Sequence, residues 1–264
     1  MSLEISGNKY IEEAELPDGL GLIRDENGLA LMSGDQVLRG DFTKMLHRVK
    51  HNSISHELLV KAAKIKGADG PRTAIDATAG LGEDSLLLAA AGFHVKMYER
   101  NPVIFELLSD ALRRAAEVPE LADIVARMEV FNEDSVEVMK KLAAELCRID
   151  VTSDGVAAEP ACGNAAEPAM PPDIILLDPM FPERQKSALV KKKLQMIQKL
   201  EIPCDDEEEI LFAAMSARPK KLIVKRPPKG PFLAGVKPDY SNKGKAVRYD
   251  CFVSPYDRIG KFKK

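Results

Sequence analysis

The 264-residue chain lacks several features that would narrow its function at once. No apolar run comes near the roughly 20 residues that cross a bilayer, so no membrane partner is expected. The stretch from Met1 to Gly19 is polar and acidic, unlike the apolar core of a secretory leader or the Arg-rich, acid-poor make-up of a transit peptide. Cysteine is scarce. Cys147, Cys162, Cys204 and Cys251 lie far apart and form no Cys-x-x-Cys pair, which predicts reduced thiols in a cytoplasmic protein rather than a metal site or a disulfide frame. There is no internal repeat. A net positive charge is missing too: the formal charge of −3 argues against a generally basic nucleic-acid binder.

The charge is nevertheless unevenly spread. From Met180 to Lys264 there are 20 Lys and Arg against 10 Asp and Glu, and the remainder carries 18 against 31. A basic face for an anionic partner fits this asymmetry, and so does a solvated surface with charges of both signs. The length suits one large α/β domain with extensions, or two small domains.

The most informative stretch is Ala74-Ile75-Asp76-Ala77-Thr78-Ala79-Gly80-Leu81-Gly82-Glu83-Asp84, followed by the apolar block Ser85 to Ala91. It reads as strand, tight turn, helix. Gly80 and Gly82 allow a sharp turn and a close approach of backbone to ligand, and the helix from Glu83 points its free N–H groups into the same turn. Two things are again absent. There is no Gly-Lys-Ser/Thr ending of a phosphate loop, and Ser85 stands where the third glycine of a dinucleotide fingerprint would fall. Asp76, Glu83 and Asp84 would repel a pyrophosphate and attract a cation, so a sulfonium cofactor, S-adenosylmethionine, fits better than NAD or ATP. This stretch alone leaves a methyl-donor site and another nucleotide site of the same fold equally open.

In chain order, Leu20–Ile23, Leu29–Met32 and Val37–Leu38 predict short strands in a small antiparallel extension over residues 1–54. Asp41 to Asn52 is a basic connecting segment. Ser55 is the expected N-cap of a helix from His56 to about Lys66. From Thr73 strands and helices alternate, which predicts a mostly parallel, doubly wound sheet across residues 55–264. Strands are expected at His94–Tyr98, Met128–Phe131, Asp173–Leu177, Leu222–Lys225 and Ala246–Val253. Helices are expected from Pro102 to about Glu117, from Pro119, from Asn132–Ser135 to about Arg148, over Ser187–Leu200 and over Asp206–Ala217. Residues 151–172, rich in Ala, Pro, Gly and acids, predict a loop.

Acids recur at the predicted strand ends: Asp76, Glu99, Asp178, and Asp134-Ser135 at a fourth. In an open α/β sheet the ligand crevice lies at these carboxyl ends. Glu99 follows Gly82 by 17 residues, where a carboxylate can take both hydroxyls of a ribose. Each acid is also an ordinary helix cap. Asp178-Pro179-Met180-Phe181-Pro182 is the second informative block. Its prolines stiffen the loop, its carboxylate and carbonyls can face an exocyclic amine, and Phe181 can stack on a flat base.

The blocks Asp76 to Gly82, Tyr98-Glu99-Arg100-Asn101-Pro102, Asp178 to Pro182 and Gln185 to Lys192 resemble the RsmJ-type small-subunit ribosomal RNA (guanine-N2)-methyltransferases. Val224-Lys225-Arg226-Pro227 and Arg248-Tyr249-Asp250 add to the likeness, which covers roughly residues 40–255. The resemblance implies a Rossmann-like class I methyltransferase fold with an antiparallel final strand. It also implies S-adenosylmethionine as cofactor, with contacts from Glu83, Asp84, Glu99, Arg100, Asp134, Ser135 and Asp178. The chain departs from the family at Glu83, where a basic residue is usual, and at Asp134, where a small one is common. In this reading Asp178 and the Pro179 carbonyl accept the hydrogens of the guanine amine, the base is unstacked to reach the methyl, and Lys191, Lys192, Lys193, Lys225 and Arg226 hold RNA phosphates. A small-molecule methyltransferase, a non-catalytic RNA-binding protein and a nucleotide-dependent oxidoreductase are the alternatives on the same fold.

Overall fold

The structure, a computed structural model, describes residues 3–5, 9–11, 16–17, 19–65, 70–153, 169–179, 196–197, 200 and 206–259. The chain opens with a two-stranded ribbon, β1 (Leu3–Ile5) and β2 (Lys9–Ile11). An antiparallel sheet of β3 (Gly21–Asp25), β4 (Gly28–Ser33) and β5 (Gln36–Leu38) follows. Three short helices, α1 (Leu46–Val49), α2 (His51–Ile54) and α3 (Leu58–Ala62), lead to β6 (Arg72–Asp76). From there the order is α4 (Glu83–Ala90), β7 (Phe93–Tyr98), α5 (Pro102–Ala116), α6 (Pro119–Val125), β8 (Met128–Phe131), α7 (Ser135–Ser153) and β9 (Ile174–Leu177). The chain continues through α8 (Glu207–Ser216), β10 (Lys221–Arg226), β11 (Tyr240–Lys243) and β12 (Arg248–Val253).

The large sheet has the strand order β11-β12-β10-β9-β6-β7-β8. All its pairings are parallel except those of β12, which runs against both neighbours. The doubly wound sheet and reversed final strand expected from the sequence are both present. The chain leaves β6 toward β7 and β8, then returns to β9 and β10 on the other side. The switch point therefore lies between β6 and β9, where such sheets open their ligand crevice.

Both faces of this sheet are covered, as parallel strands require. Ala74, Val95, Ile174, Leu176 and Ile223 face a core shared with α4 and α6. Their neighbours Ile75, Ile175, Leu177, Leu222 and Val224 face a second core under α7 and α8. In α4, Leu86, Leu87 and Leu88 are all fully buried, each contributing about 1.5–3 kcal/mol of apolar burial. A helix with no polar stripe is a buried one, so α4 and its glycine turn are held firmly.

The caps follow from local chemistry. Asn101 precedes Pro102, and its side-chain oxygen accepts the N–H groups of Val103 (2.9 Å) and Ile104 (3.2 Å). The proline loses nothing at the first helical position, where its missing donor has no partner anyway. Asp206 caps α8 by accepting the Glu209 N–H at 2.8 Å.

Two expectations need correction, and one strand has no counterpart among the expectations. Ser55 is not an N-cap: it closes α2 in helical geometry, and the following helix starts only after the extended Glu57. Helix α7 runs on to Ser153, into the segment expected as loop. Strand β11 gave no sequence signal because Tyr240-Ser241-Asn242-Lys243 has no apolar alternation. It sits at a sheet edge, exposed or half-buried, held by backbone pairing with β12 and by the Ser241 hydroxyl donating to Asp250 at 2.6 Å.

The small antiparallel sheet packs on α5 through Leu29, Leu31, Leu38, Val103, Ile104 and Leu107. One buried carboxylate pins this contact. Asp110 on α5 accepts from the Leu29 N–H (2.9 Å), Arg24 (2.7 Å), Arg113 (2.8 Å) and Arg114 (2.7 Å). Burial pushes this carboxyl up, but Arg114, the Leu29 N–H, Arg113 and Arg24 outweigh it and hold the group well below the usual carboxylate range. Asp110→Ala strands the Leu29 N–H and unpairs Arg114, so urea unfolding should show a loss of about 2–4 kcal/mol. Arg113→Ala, which removes a partner 57% exposed, should cost less than about 1 kcal/mol.

Candidate active site

The carboxyl ends of β6, β7, β8 and β9 bring the acids expected from the sequence to one edge. Each is handled differently. Asp76, the last residue of β6, is 2% exposed. Its Oδ2 accepts the Ser85 hydroxyl at 2.6 Å and its Oδ1 accepts the Thr78 N–H at 3.2 Å. It ties the start of the turn to α4. Burial pushes its carboxyl up to about 7; Ser85 opposes this, and the charges of Asp84 and Asp178 add to it.

The turn itself carries two left-handed glycines. Gly80 (φ +53°) would place an added side chain in open space, whereas Gly82 (φ +77°) would drive one to 2.7 Å from Leu108 and 3.1 Å from Phe42. Gly80 thus leaves the backbone bare toward the crevice. Gly82 is required by packing beneath it as well as by conformation.

Glu99 follows β7 and is 6% exposed. Its carboxylate accepts the Gly80 N–H at 3.1 Å and the Asn101 N–H at 2.8 Å, so it latches the glycine turn to the start of α5. Burial raises its pKa, and these backbone donors oppose the rise. Arg100 and Glu83 are exposed. After β8, Asn132 donates to the carbonyls of Glu99 (2.9 Å) and Arg100 (3.3 Å), joining the two loops. Asp134 caps α7, accepting the Val136 N–H at 2.8 Å, and Ser135 is buried in its first turn.

Asp178 emerges from β9 beside this cluster. Its N–H donates to the Thr78 hydroxyl at 2.6 Å, and its carboxylate meets the Lys225 ammonium at 2.8 Å. The same ammonium donates to Asp84 at 2.7 Å. Crowding by surrounding protein pushes the Asp178 carboxyl up and Lys225 pulls it back, leaving it raised. Pro179 is buried.

Two residues expected on an RNA-facing surface are elsewhere. Neighbours on a strand point to opposite faces, so Lys225 and Arg226 cannot share one surface. Lys225 turns toward α4 and the carboxylates. Arg226 turns toward α8, with no side-chain exposure, donating to the Pro231 carbonyl at 2.9 Å and pairing with Glu207 at 3.3 Å. Phe181, Lys191, Lys192 and Lys193 lie outside the described residues. Sequence reasoning missed Thr78, Asn132 and Tyr249, which is buried on β12 in register with Lys225. Thr78 and Asn132 stand in strand-end loops already singled out, which was the available signal.

The crevice suits a cationic ligand: Glu99 stands at its edge, and Asp84 and Asp178 share the single Lys225 ammonium between them. Among the described residues, no group of three or more His, Cys, Asp or Glu is placed to hold a metal ion, and no helix is long and apolar enough to cross a membrane.

A family model for SAM-dependent methyltransferases matches residues 14–152 and 157–254. The ribosomal RNA small subunit methyltransferase J of Marinobacter nauticus is 35% identical over 240 residues, covering 89% of this chain and 77% of that protein. Its namesake in Cellvibrio japonicus is 36% identical, covering 93% and 89%, and one in Pseudomonas fluorescens is 37% identical, covering 95% and 91%. Among solved structures, a SAM-dependent methyltransferase of Neisseria gonorrhoeae superimposes with a TM-score of 0.62 at 27% identity, covering 95% of this chain and 89% of that one.

The buried Asp76 makes stability depend on pH. Its folded value of about 7 exceeds the reference 3.8, so its contribution is full below about pH 3.8, falls through the window between the two values and is gone above about pH 7. Between pH 5 and 8 this amounts to about 2–3 kcal/mol. Asp76→Asn, a neutral isostere, should remove that much of the difference in urea unfolding free energy between the two pH values. An unchanged difference would show that Asp76 is ionised when folded.

Proposed function

The chain belongs to the SAM-dependent methyltransferase family of these relatives, and on that premise we propose that it methylates the exocyclic N2 of a guanine in small-subunit ribosomal RNA. S-adenosylmethionine is the cofactor, and when bound it supplies an electrophilic methyl group on a cationic sulfur. The observation that carries the reading is the placing of Asp178 beside the glycine turn. One carboxylate borders both the anionic crevice and the start of the stiff Asp178-Pro179 loop. The names of the relatives supply the ribosomal RNA; the guanine amine follows from the chemistry of that loop and from the family resemblance.

On this proposal Glu99 binds the ribose hydroxyls with the oxygen capacity left by Gly80 and Asn101, and the bare backbone at Gly80 admits the ligand closely. Asp84, Arg100, Asp134 and Ser135 line the cofactor side. Asp178 and the Pro179 carbonyl accept the hydrogens of the amine. Its lone pair is otherwise delocalised into the ring, so the acceleration comes from orientation and fixed charge. Phe181 supplies a face for the unstacked base, and Lys191, Lys192 and Lys193 hold phosphates. Such a substrate is met in the cytoplasm.

Asp178→Asn keeps the size of the side chain but turns an acceptor into a donor facing the amine hydrogens. Single-turnover methyl transfer at saturating cofactor and RNA should fall about 10²-fold or more, with RNA affinity nearly unchanged. A rate close to the parent's would move the chemistry away from Asp178. Glu99→Ala should weaken S-adenosylmethionine binding by about 1–3 kcal/mol in titration calorimetry, and unaltered affinity in a folded variant would remove Glu99 from the ribose role.

A further inference from the structure

We propose that Lys225 is a positioning residue for the reaction, its ammonium clasped between Asp84 and Asp178 so that the Asp178 carboxylate is fixed at the mouth of the crevice. The proposal rests on Asp178 acting as the acceptor of the amine hydrogens.

The geometry is that of a brace between three elements distant in sequence. Lys225 stands near the end of β10, Asp84 in the first turn of α4 and Asp178 just past β9. The ammonium lies 2.7 Å from Asp84 and 2.8 Å from Asp178. Side-chain exposure is 25% for Lys225, 17% for Asp84 and 41% for Asp178. The lysine and the α4 acid are thus the covered base, and Asp178 is the member that reaches solvent. Its backbone is held separately, by the 2.6 Å bond from its N–H to Thr78. Main chain and carboxylate are therefore each held by a partner of their own.

The charges point the same way. Two carboxylates and one ammonium leave the trio with a single negative charge, suited to a cationic ligand. A phosphate would meet an ammonium already engaged by two carboxylates, so the expected RNA-backbone role of Lys225 fits poorly. Other charged or titratable groups near enough to act on the trio are Asp76 on β6, Arg226 next along β10, Tyr249 on β12 and Arg48 on α1. Of these only the two arginines are cations. Arg226 is directed to the opposite sheet face and Arg48 is paired with Glu57 at 2.7 Å, so neither replaces Lys225.

The test is Lys225→Met and Lys225→Arg, with Asp178→Asn and the Lys225→Met/Asp178→Asn double variant in parallel, each checked by thermal melting. Single-turnover methyl transfer at saturating cofactor and RNA is followed from pH 6 to 9. Without the ammonium, Asp178 ionises at higher pH. For Lys225→Met the expected result is a rate about 10- to 100-fold lower near pH 7, with the acid limb moved up by about one pH unit or more and partial recovery at pH 9. Lys225→Arg, which keeps the charge, should retain most of the rate and the parent's limb. In the Asp178→Asn background Lys225→Met should cost little more, because the lysine acts through the carboxylate. The salt slope of RNA binding should stay unchanged. A Lys225→Met enzyme with the parent's rate and pH profile, while Asp178→Asn is impaired, overturns this proposal and leaves the reading of Asp178 standing. An unimpaired Asp178→Asn overturns that reading and this proposal with it. A salt slope reduced by about one with the saturated rate intact would make Lys225 a phosphate contact instead. If Lys225→Met fails to melt cooperatively, the pH profile of Lys225→Arg decides, and an unmoved limb with a rate as low as that of Asp178→Asn overturns the proposal.

Discussion

Parallel strands end on the same edge, and the chemistry of this protein follows from that constraint. β6, β7, β8 and β9 deliver Asp76, Glu99, Asp134 and Asp178 to one crevice. Two like charges 4 Å apart repel by about 4 kcal/mol at the effective dielectric of a protein surface, so such a cluster stands only if each carboxylate is compensated. The structure does this in three ways. Asp76 is buried with a raised pKa and a hydroxyl partner. Glu99 receives two backbone N–H groups. Asp84 and Asp178 share an ammonium. Of Asp76, Glu99, Asp84 and Asp178, the one left most exposed is the one assigned to the substrate.

The same edge explains the rigidity of the glycine turn. Its start is tied to α4 through Asp76 and Ser85, its middle to α5 through Gly80 and Glu99, and Gly82 rests on Leu108 and Phe42. Helix α5 is in turn clamped by the small antiparallel sheet through Asp110 and the apolar residues around Leu107. The extension lies away from the crevice in sequence, yet it braces the helix whose first turn follows Glu99. A site that works by positioning depends on such support.

Legibility followed the range of the interactions. The strand-turn-helix at Asp76–Asp84, the Asn101-Pro102 helix start and the buried run Ile174–Leu177 were readable because each is decided within a few residues, by caps, glycines and apolar patterns. The extension's three strands were readable for the same reason. Ser55 was misread because a capping residue signals a helix only if the backbone there is extended, and the packing of α2 keeps it helical. β11 was invisible because its pairing with β12 needs no apolar side chain.

By itself, then, the sequence determined the fold class and the acids at the strand ends, an arrangement that suits a cationic ligand better than a pyrophosphate. It could not determine what each acid touches. Lys225 and Arg226 are adjacent and equally basic, so sequence treats them alike. The pleat sends one to Asp84, 141 residues earlier, and the other under α8 to Glu207. Which face a strand residue takes, and which distant group waits there, depends on the order in which strands pair across the switch point. That order is set by burial of both sheet faces at once, a property of the whole chain that no local stretch contains.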